Sequence, residues 1–139
     1  MITLAGLVPL LAVYDMPAAV AFYCDVLGFE VAEHSPEIDD DGRHYFHWCR
    51  LRRGVIELML NTAYDTGERP PHRDPARQAA HDDTCLYIGC PDPDAAWRDL
   101  TAKGLTLDPP TTAPYGMRQL HLHDPDGYAI CLQWSVSDQ

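Results

Sequence analysis

The two halves of this chain carry the same order of apolar runs and turn-forming residues. Gly28-Phe29-Glu30-Val31 aligns with Gly104-Leu105-Thr106-Leu107 at an offset of 76, and Ile56-Glu57-Leu58 with Ile130-Cys131-Leu132 at 74. A repeat of this kind restricts the fold to two copies of one supersecondary unit. In the first copy, residues 7–13 form an apolar run that suits a buried strand. Residues 17–27 then place Ala18, Ala19, Phe22, Tyr23, Val26 and Leu27 at helical spacing, with Asp15 as the cap and Gly28 as the stop. Strands are expected at 29–34, 43–51 and 54–61, so the order is β-α-β-β-β.

The second copy repeats the order, with a strand at 84–90, a helix at 94–103 stopped by Gly104, and strands at 105–108, 117–123 and 128–134. Asp124-Pro125-Asp126-Gly127 joins the last two, with Pro and Gly at the second and fourth positions of a type I turn. The expected organisation is a first βαβββ module at 1–61, a connecting loop at 62–83 and a second module at 84–139. A loop of this length, carrying Pro70, Pro71 and Pro75, suggests a lid or crossover.

Charge narrows the partners. Ten Lys and Arg stand against 21 Asp and Glu, a formal net charge of −11, which repels phosphate backbones and anionic membrane surfaces. Neither nucleic acid nor membrane is an expected partner; a neutral or cationic small molecule is. The acidic stretch Glu37-Ile38-Asp39-Asp40-Asp41 reads as a solvated loop. The apolar N-terminal run has no basic region before it and is too short to span a bilayer. Five cysteines, an odd number without a Cys-x-x-Cys pair, suit reduced thiols and a cytoplasmic location.

The stretch Pro9-Leu10-Leu11-Ala12-Val13-Tyr14-Asp15, followed by Ala18, Ala19, Phe22-Tyr23 and Leu27-Gly28-Phe29, resembles the opening signature of the vicinal oxygen chelate superfamily. This is the group of glyoxalase I, the bleomycin-resistance proteins and the extradiol dioxygenases. Asp124-Pro125-Asp126-Gly127-Tyr128 resembles its closing signature. The resemblance covers nearly the whole chain and implies an α+β fold of two tandem βαβββ modules, whose curled mixed sheets form a cleft. It also implies a homodimer, since the superfamily commonly completes its clefts between chains.

In the enzymes of that group a divalent metal is held by side chains from equivalent strands. Carried over position by position, the first-strand His falls on Val8, which cannot bind a metal, and the glutamate of the module's last strand falls on Glu57. The second module's His falls on Cys85, or on Thr84 if the register slips by one, and the closing glutamate on Cys131. One of four ligands is kept. The resemblance therefore points to a bleomycin-resistance-like binding protein without the usual metal chemistry, and no cofactor is favoured. The alternative is a divergent metal-dependent lyase, isomerase or dioxygenase using zinc, nickel, iron or manganese, with Glu57 and His121 as ligands and His47 as a third.

His121 and His123 share one strand face, and Glu57, Cys85 and Cys131 form a second conceivable donor set. The expected ligand-binding cleft comprises His47, Glu57, Cys85, Tyr87, Gln119, His121 and Cys131. Trp48, Trp134, Tyr115 and Met117 offer flat apolar surface, which suits a cationic or aromatic ligand. Glu57 is the expected anchor for a cation or a general base; Trp97 is expected in the core, and the loop residues His72 and His81 at the surface. Arg43, Arg50, Arg52, Arg53 and Arg118 are candidates for an anionic group or are simply solvated.

Overall fold

A computed structural model describes residues 1–138. The chain divides into two compact units, Met1–Arg73 and Asp74 onward, so the boundary lies within the connecting stretch. Each unit is built on a four-stranded mixed sheet with a helix on one face, as the α+β expectation required.

In the first unit the strands are β1 (Leu10–Val13), β2 (Glu30–His34), β3 (Ile38–Asp40), β4 (Arg43–Tyr45), β5 (Trp48–Arg53) and β6 (Ile56–Thr62). The main sheet runs β1-β6-β5-β2, with β1 parallel to β6 and the other pairs antiparallel. Strand β1 begins three residues later than expected. Pro9 has no N–H to give to a ladder, and its carbonyl accepts from Met59 N–H at 2.8 Å where pairing starts. Ile2, Leu4 and Leu7 lie outside the sheet, 79%, 82% and 90% exposed.

Helix α1 (Met16–Ala21) is capped as the sequence indicates, with Asp15 Oδ1 accepting from Ala18 N–H at 3.1 Å. It then widens over Phe22–Val26 into a π-type turn, in which Leu27 N–H reaches Phe22 O at 3.2 Å. Gly28 stops it in the left-handed region (φ +78°), and the Arg53 guanidinium donates to the last carbonyl, Leu27 O. Beneath the helix, Leu11, Val13, Cys49, Leu51, Leu58 and Leu60 alternate inward, and Cys49 Sγ lies 4.0 Å from Met16 Sδ. Burying a side chain of this class contributes about 1.5–3 kcal/mol.

Two strand expectations need correction here. The run at 43–51 is two strands, because β4 turns back to pair with β3 while β5 stays in the main sheet. The stretch read as a solvated acidic loop supplies β3 and its turn, where Asp41 (φ 52°) and Gly42 (φ 85°) take the left-handed pair that an Asp-Gly hairpin needs.

The second unit contains α2 (Pro75–Ala79), β7 (Cys85–Gly89), α3 (Pro93–Ala102), β8 (Thr111–Thr112), β9 (Met117–His123) and β10 (Ala129–Ser135), in sheet order β7-β10-β9-β8. Asp92 caps α3 through Ala95 N–H at 3.0 Å. The helix packs on the face of Leu120, Leu122, Ile130 and Leu132. Arg118 on that same face donates to both Asp94 oxygens, at 2.8 and 3.1 Å, and holds the Asp94 carboxyl below its ordinary range. No strand forms at 105–108. The Leu107 carbonyl accepts from the Trp97 indole at 3.0 Å, and Pro109 and Pro110 cannot donate to a ladder, so pairing resumes only at Thr111. Trp97 is accordingly half-buried and polar-bonded rather than enclosed in the core.

The closing turn forms as predicted, with Gly127 N–H donating to Asp124 O at 3.0 Å, while Asp124 Oδ1 accepts from Asp126 and Tyr128 N–H. The linking helix α2 sits against it. The Gln78 carboxamide lies over Gly127, and the His81 ring stacks on Tyr128 at 3.8 Å and 11°, so His81 is not the free surface histidine expected.

Candidate functional site

A strand exposes alternate residues to opposite faces, so the face turned away from each helix follows from the register. In the second unit that open face carries Cys85 and Tyr87 on β7, Cys131 and Gln133 on β10, and Gln119 and His121 on β9. Cross-strand pairing sets Tyr87, Cys131 and His121 in one row, with Gln133 opposite Gln119 in the next. Five of the residues expected in the cleft, Cys85, Tyr87, Gln119, His121 and Cys131, therefore share one surface.

Its floor is closed and its rim is not. Cys131 is fully buried and Gln119 is 7% exposed, whereas Tyr87 is 58% and Tyr115 70% exposed. Gln119 Nε2 donates to the Tyr115 hydroxyl at 2.9 Å and to Gln133 Oε1 at 2.9 Å, which fixes an otherwise exposed ring to the floor. Burial raises the pKa of both thiols, with Cys85 adding to the effect at Cys131. The Tyr87 phenol is pushed up in turn, first by Cys85 and Cys131 and to a lesser degree by burial and Tyr115, whose charged forms would repel a phenolate. These are proton-holding, neutral groups at physiological pH. They offer hydrogen bonds and flat surface rather than a nucleophile or a base.

The first unit's open face carries Trp48, Arg50 and Arg52 on β5 and Glu57, Met59 and Asn61 on β6. Glu57 is not a lone carboxylate. Arg50 Nη1 donates to Glu57 Oε1 at 2.9 Å and Nη2 to Glu33 Oε1 at 2.7 Å, and the two carboxylates raise the Arg50 pKa further. Arg52 pairs with Glu30 at 3.0 Å. His47 lies off this surface, between β4 and β5, with its ring nitrogens 2.5 Å from Thr62 Oγ1 and 2.9 Å from Thr66 Oγ1. Thr62 stands five residues beyond Glu57 on β6. That is roughly 16 Å along a strand, so His47 and Glu57 do not meet.

As metal donors these residues fit poorly. A guanidinium at 2.9 Å competes with any cation for Glu57, and burial disfavours the thiolate forms of Cys85 and Cys131 that a metal would need. Val8 is a hydrocarbon where the resemblance implies a His. Among the described residues no three His, Cys, Asp or Glu side chains gather closely enough to share an ion. The arginines named as anion-binding candidates are otherwise engaged: Arg50 and Arg52 by glutamates, Arg53 by Leu27 O, Arg118 by Asp94, and Arg43 over the Tyr45 ring at 5.0 Å.

Comparison with known proteins agrees with this architecture. The profile of the Glyoxalase/Bleomycin resistance protein/Dioxygenase superfamily matches residues 5–132. The chain belongs to this superfamily. Among solved members of the fold, the superfamily chain is similar to the bleomycin-binding protein of bleomycin-producing Streptomyces verticillus, solved with copper(II)-bleomycin. The identity is 27%, with 95% of this chain and 97% of that one covered at a TM-score of 0.63. It shares the fold of a bleomycin resistance determinant encoded on transposon Tn5, at 20% identity, 96% and 99% coverage and a TM-score of 0.67. A lactoylglutathione lyase from Agrobacterium tumefaciens shares it too, at 20% identity, 93% and 92% coverage and a TM-score of 0.65. No curated protein sequence matches the chain.

Tyr115 was expected only as flat apolar surface, and Gln133 was not expected in the cleft at all. Gln133 was within reach of the sequence. Once Asp124-Pro125-Asp126-Gly127 is taken as a hairpin turn, residues equidistant from it face each other, which pairs His121 with Cys131 and Gln119 with Gln133. Arg50 carried a weaker signal: its contact with Glu57 is a diagonal one across the β5-β6 hairpin, and its contact with Glu33 depends on β2 lying beside β5.

Proposed function

We propose that this superfamily member is a small-molecule-binding protein of the bleomycin-resistance type, which sequesters a ligand with a flat aromatic part on the open face of its second sheet. The observation that carries the reading is the pair Tyr87 and Tyr115, two exposed rings standing over a floor of buried, uncharged groups. Exposed aromatic surface of this kind is costly in water and rewards a stacking partner. The 27% identity to a bleomycin-binding protein along nearly its whole length supports the same class of ligand. Binding proceeds here without a divalent metal, since Val8 and the Arg50-bound Glu57 leave no donor set. The protein acts in the cytoplasm and as a homodimer, for which exposed Ile2, Leu4 and Leu7 provide apolar surface. No helix among the described residues is long and apolar enough to cross a membrane.

Titration of the protein with metal-free and copper-loaded bleomycin, followed by intrinsic fluorescence, tests the reading. Saturable binding is expected, weakened about threefold to tenfold by Tyr87→Ala and by Tyr115→Ala, the contribution of one aromatic stack. Binding unaffected by both substitutions, or none with bleomycin and a panel of other flat aromatics, would refute it.

A further inference from the structure

The paired carboxamides of Gln119 and Gln133 have an unused half. Gln119 Nε2 gives its hydrogens to Tyr115 Oη and Gln133 Oε1, so Gln119 Oε1 and Gln133 Nε2 have no partner among the described residues. Neither is a sealed-off atom: the buried side-chain polar atoms lacking a partner among the described residues do not include them. Both therefore reach solvent from the open face. The pair thus leaves one acceptor and one donor on the open face, beside the ring that Gln119 anchors.

The assignment of nitrogen and oxygen in each amide does not affect this result. If both amides are turned over, Gln133 Nε2 donates to Gln119 Oε1, which also accepts the Tyr115 hydroxyl. Gln119 Nε2 is then the free donor and Gln133 Oε1 the free acceptor. Either way the open edge has one of each.

We infer that Gln119 and Gln133 read a ligand polar group that carries both a hydrogen-bond donor and an acceptor, such as a primary carboxamide, a lactam or an amino-azine, on an aromatic body held by Tyr115 and Tyr87. This rests on the binding reading above and adds a ligand class to it. Gln119 is nearly enclosed, and an enclosed polar group that meets no partner in a bound ligand loses its hydration without return. A ligand lacking either the donor or the acceptor is thereby selected against. The pair is uncharged, so the selection acts on hydrogen-bond pattern and not on ionic charge.

The test uses the full-length protein with two probes of the same shape, naphthalene-2-carboxamide and methyl naphthalene-2-carboxylate, the ester having acceptors but no donor. Dissociation constants come from ¹H–¹⁵N NMR titrations, in which the side-chain amide signals of Gln119 and Gln133 are visible. The carboxamide is expected to bind about fivefold to tenfold more tightly, the value of one net hydrogen bond, and both probes are expected to shift the side-chain amide signals of the pair. The double substitution Gln119→Leu/Gln133→Leu, which removes the donor and the acceptor together, is expected to abolish the difference between the probes. Equal affinities for the two probes in the unsubstituted protein would overturn the inference and leave the aromatic-binding reading standing. Failure of both probes to shift any residue of this face would overturn both.

Discussion

Gly127→Ala separates two demands that the closing turn makes on one residue. Its φ of +83° lies in the left-handed region, which costs a residue with a Cβ roughly 1–2 kcal/mol. Restriction of the unfolded chain returns about 0.4–1 kcal/mol, leaving about 0.5–1 kcal/mol. The added Cβ also falls 2.4 Å from Gln78 Nε2, 2.6 Å from Cδ and 2.7 Å from Cγ, against an ordinary carbon contact of about 3.5–4.0 Å. Gln78 must swing away. Since it sits on α2 just before His81, the stack on Tyr128 loosens with it, at about 0.5–1.5 kcal/mol. The combined loss is about 1–2.5 kcal/mol, a drop in Tm of about 3–9 °C for a chain of this size.

Thermal unfolding of the unsubstituted protein, Gly127→Ala, Gln78→Ala and the double variant resolves the two parts. In the Gln78→Ala background Gly127→Ala is expected to cost only its backbone share, about 2–4 °C, with the remainder appearing as coupling between the sites. Trypsin should cut after Arg77 faster in Gly127→Ala. A loss of equal size in both backgrounds would refute the seating of Gln78 on Gly127, and no loss in either would refute the left-handed turn.

Two further outcomes follow from the ion pairs. In the Glu33–Arg50–Glu57 group, Arg50→Met leaves two carboxylates on the first sheet's open face without their shared cation and should lower Tm by about 2–4 °C at neutral pH, with a smaller loss in Glu57→Gln. Equal Tm in all three proteins would refute the pairing. For Asp94, whose folded pKa is lowered by Arg118, the pair's stabilisation is present above the unfolded carboxyl pKa and is lost as pH falls through the folded one. Asp94→Asn should lower Tm by about 2–3 °C at neutral pH, the modest size reflecting a half-exposed carboxylate, and the gap should close as pH falls below the ordinary carboxylate range. A gap that widens in acid would contradict the assignment.

The repeat, the cap of the first helix, the closing turn and the open face of the second sheet were legible in the sequence because each rests on local signals. Asp15 caps its helix through a near neighbour in the chain, and the period of two sets Cys85 and Tyr87, or Gln119 and His121, on one side. The misreadings arose where distant groups decide. The 105–108 segment has strand-like residues, but the Trp97 indole takes the Leu107 carbonyl. Asp41-Gly42 was a hairpin signal masked by the density of acid around it. Glu57 was read without Arg50 because their diagonal contact depends on the register of the β5-β6 hairpin, and His47 was read as a third ligand beside Glu57 and His121 because the break after β4 has no residue type of its own.

The central claim is that the open face of the second sheet receives the ligand, and a ¹H–¹⁵N map of the protein titrated with metal-free bleomycin tests it most directly. Shifts confined to Tyr87, Tyr115, Gln119, His121, Cys131 and Gln133 are predicted, with the Arg118, Leu120 and Leu122 face unmoved. Saturable binding whose shifts spare that open face would contradict it.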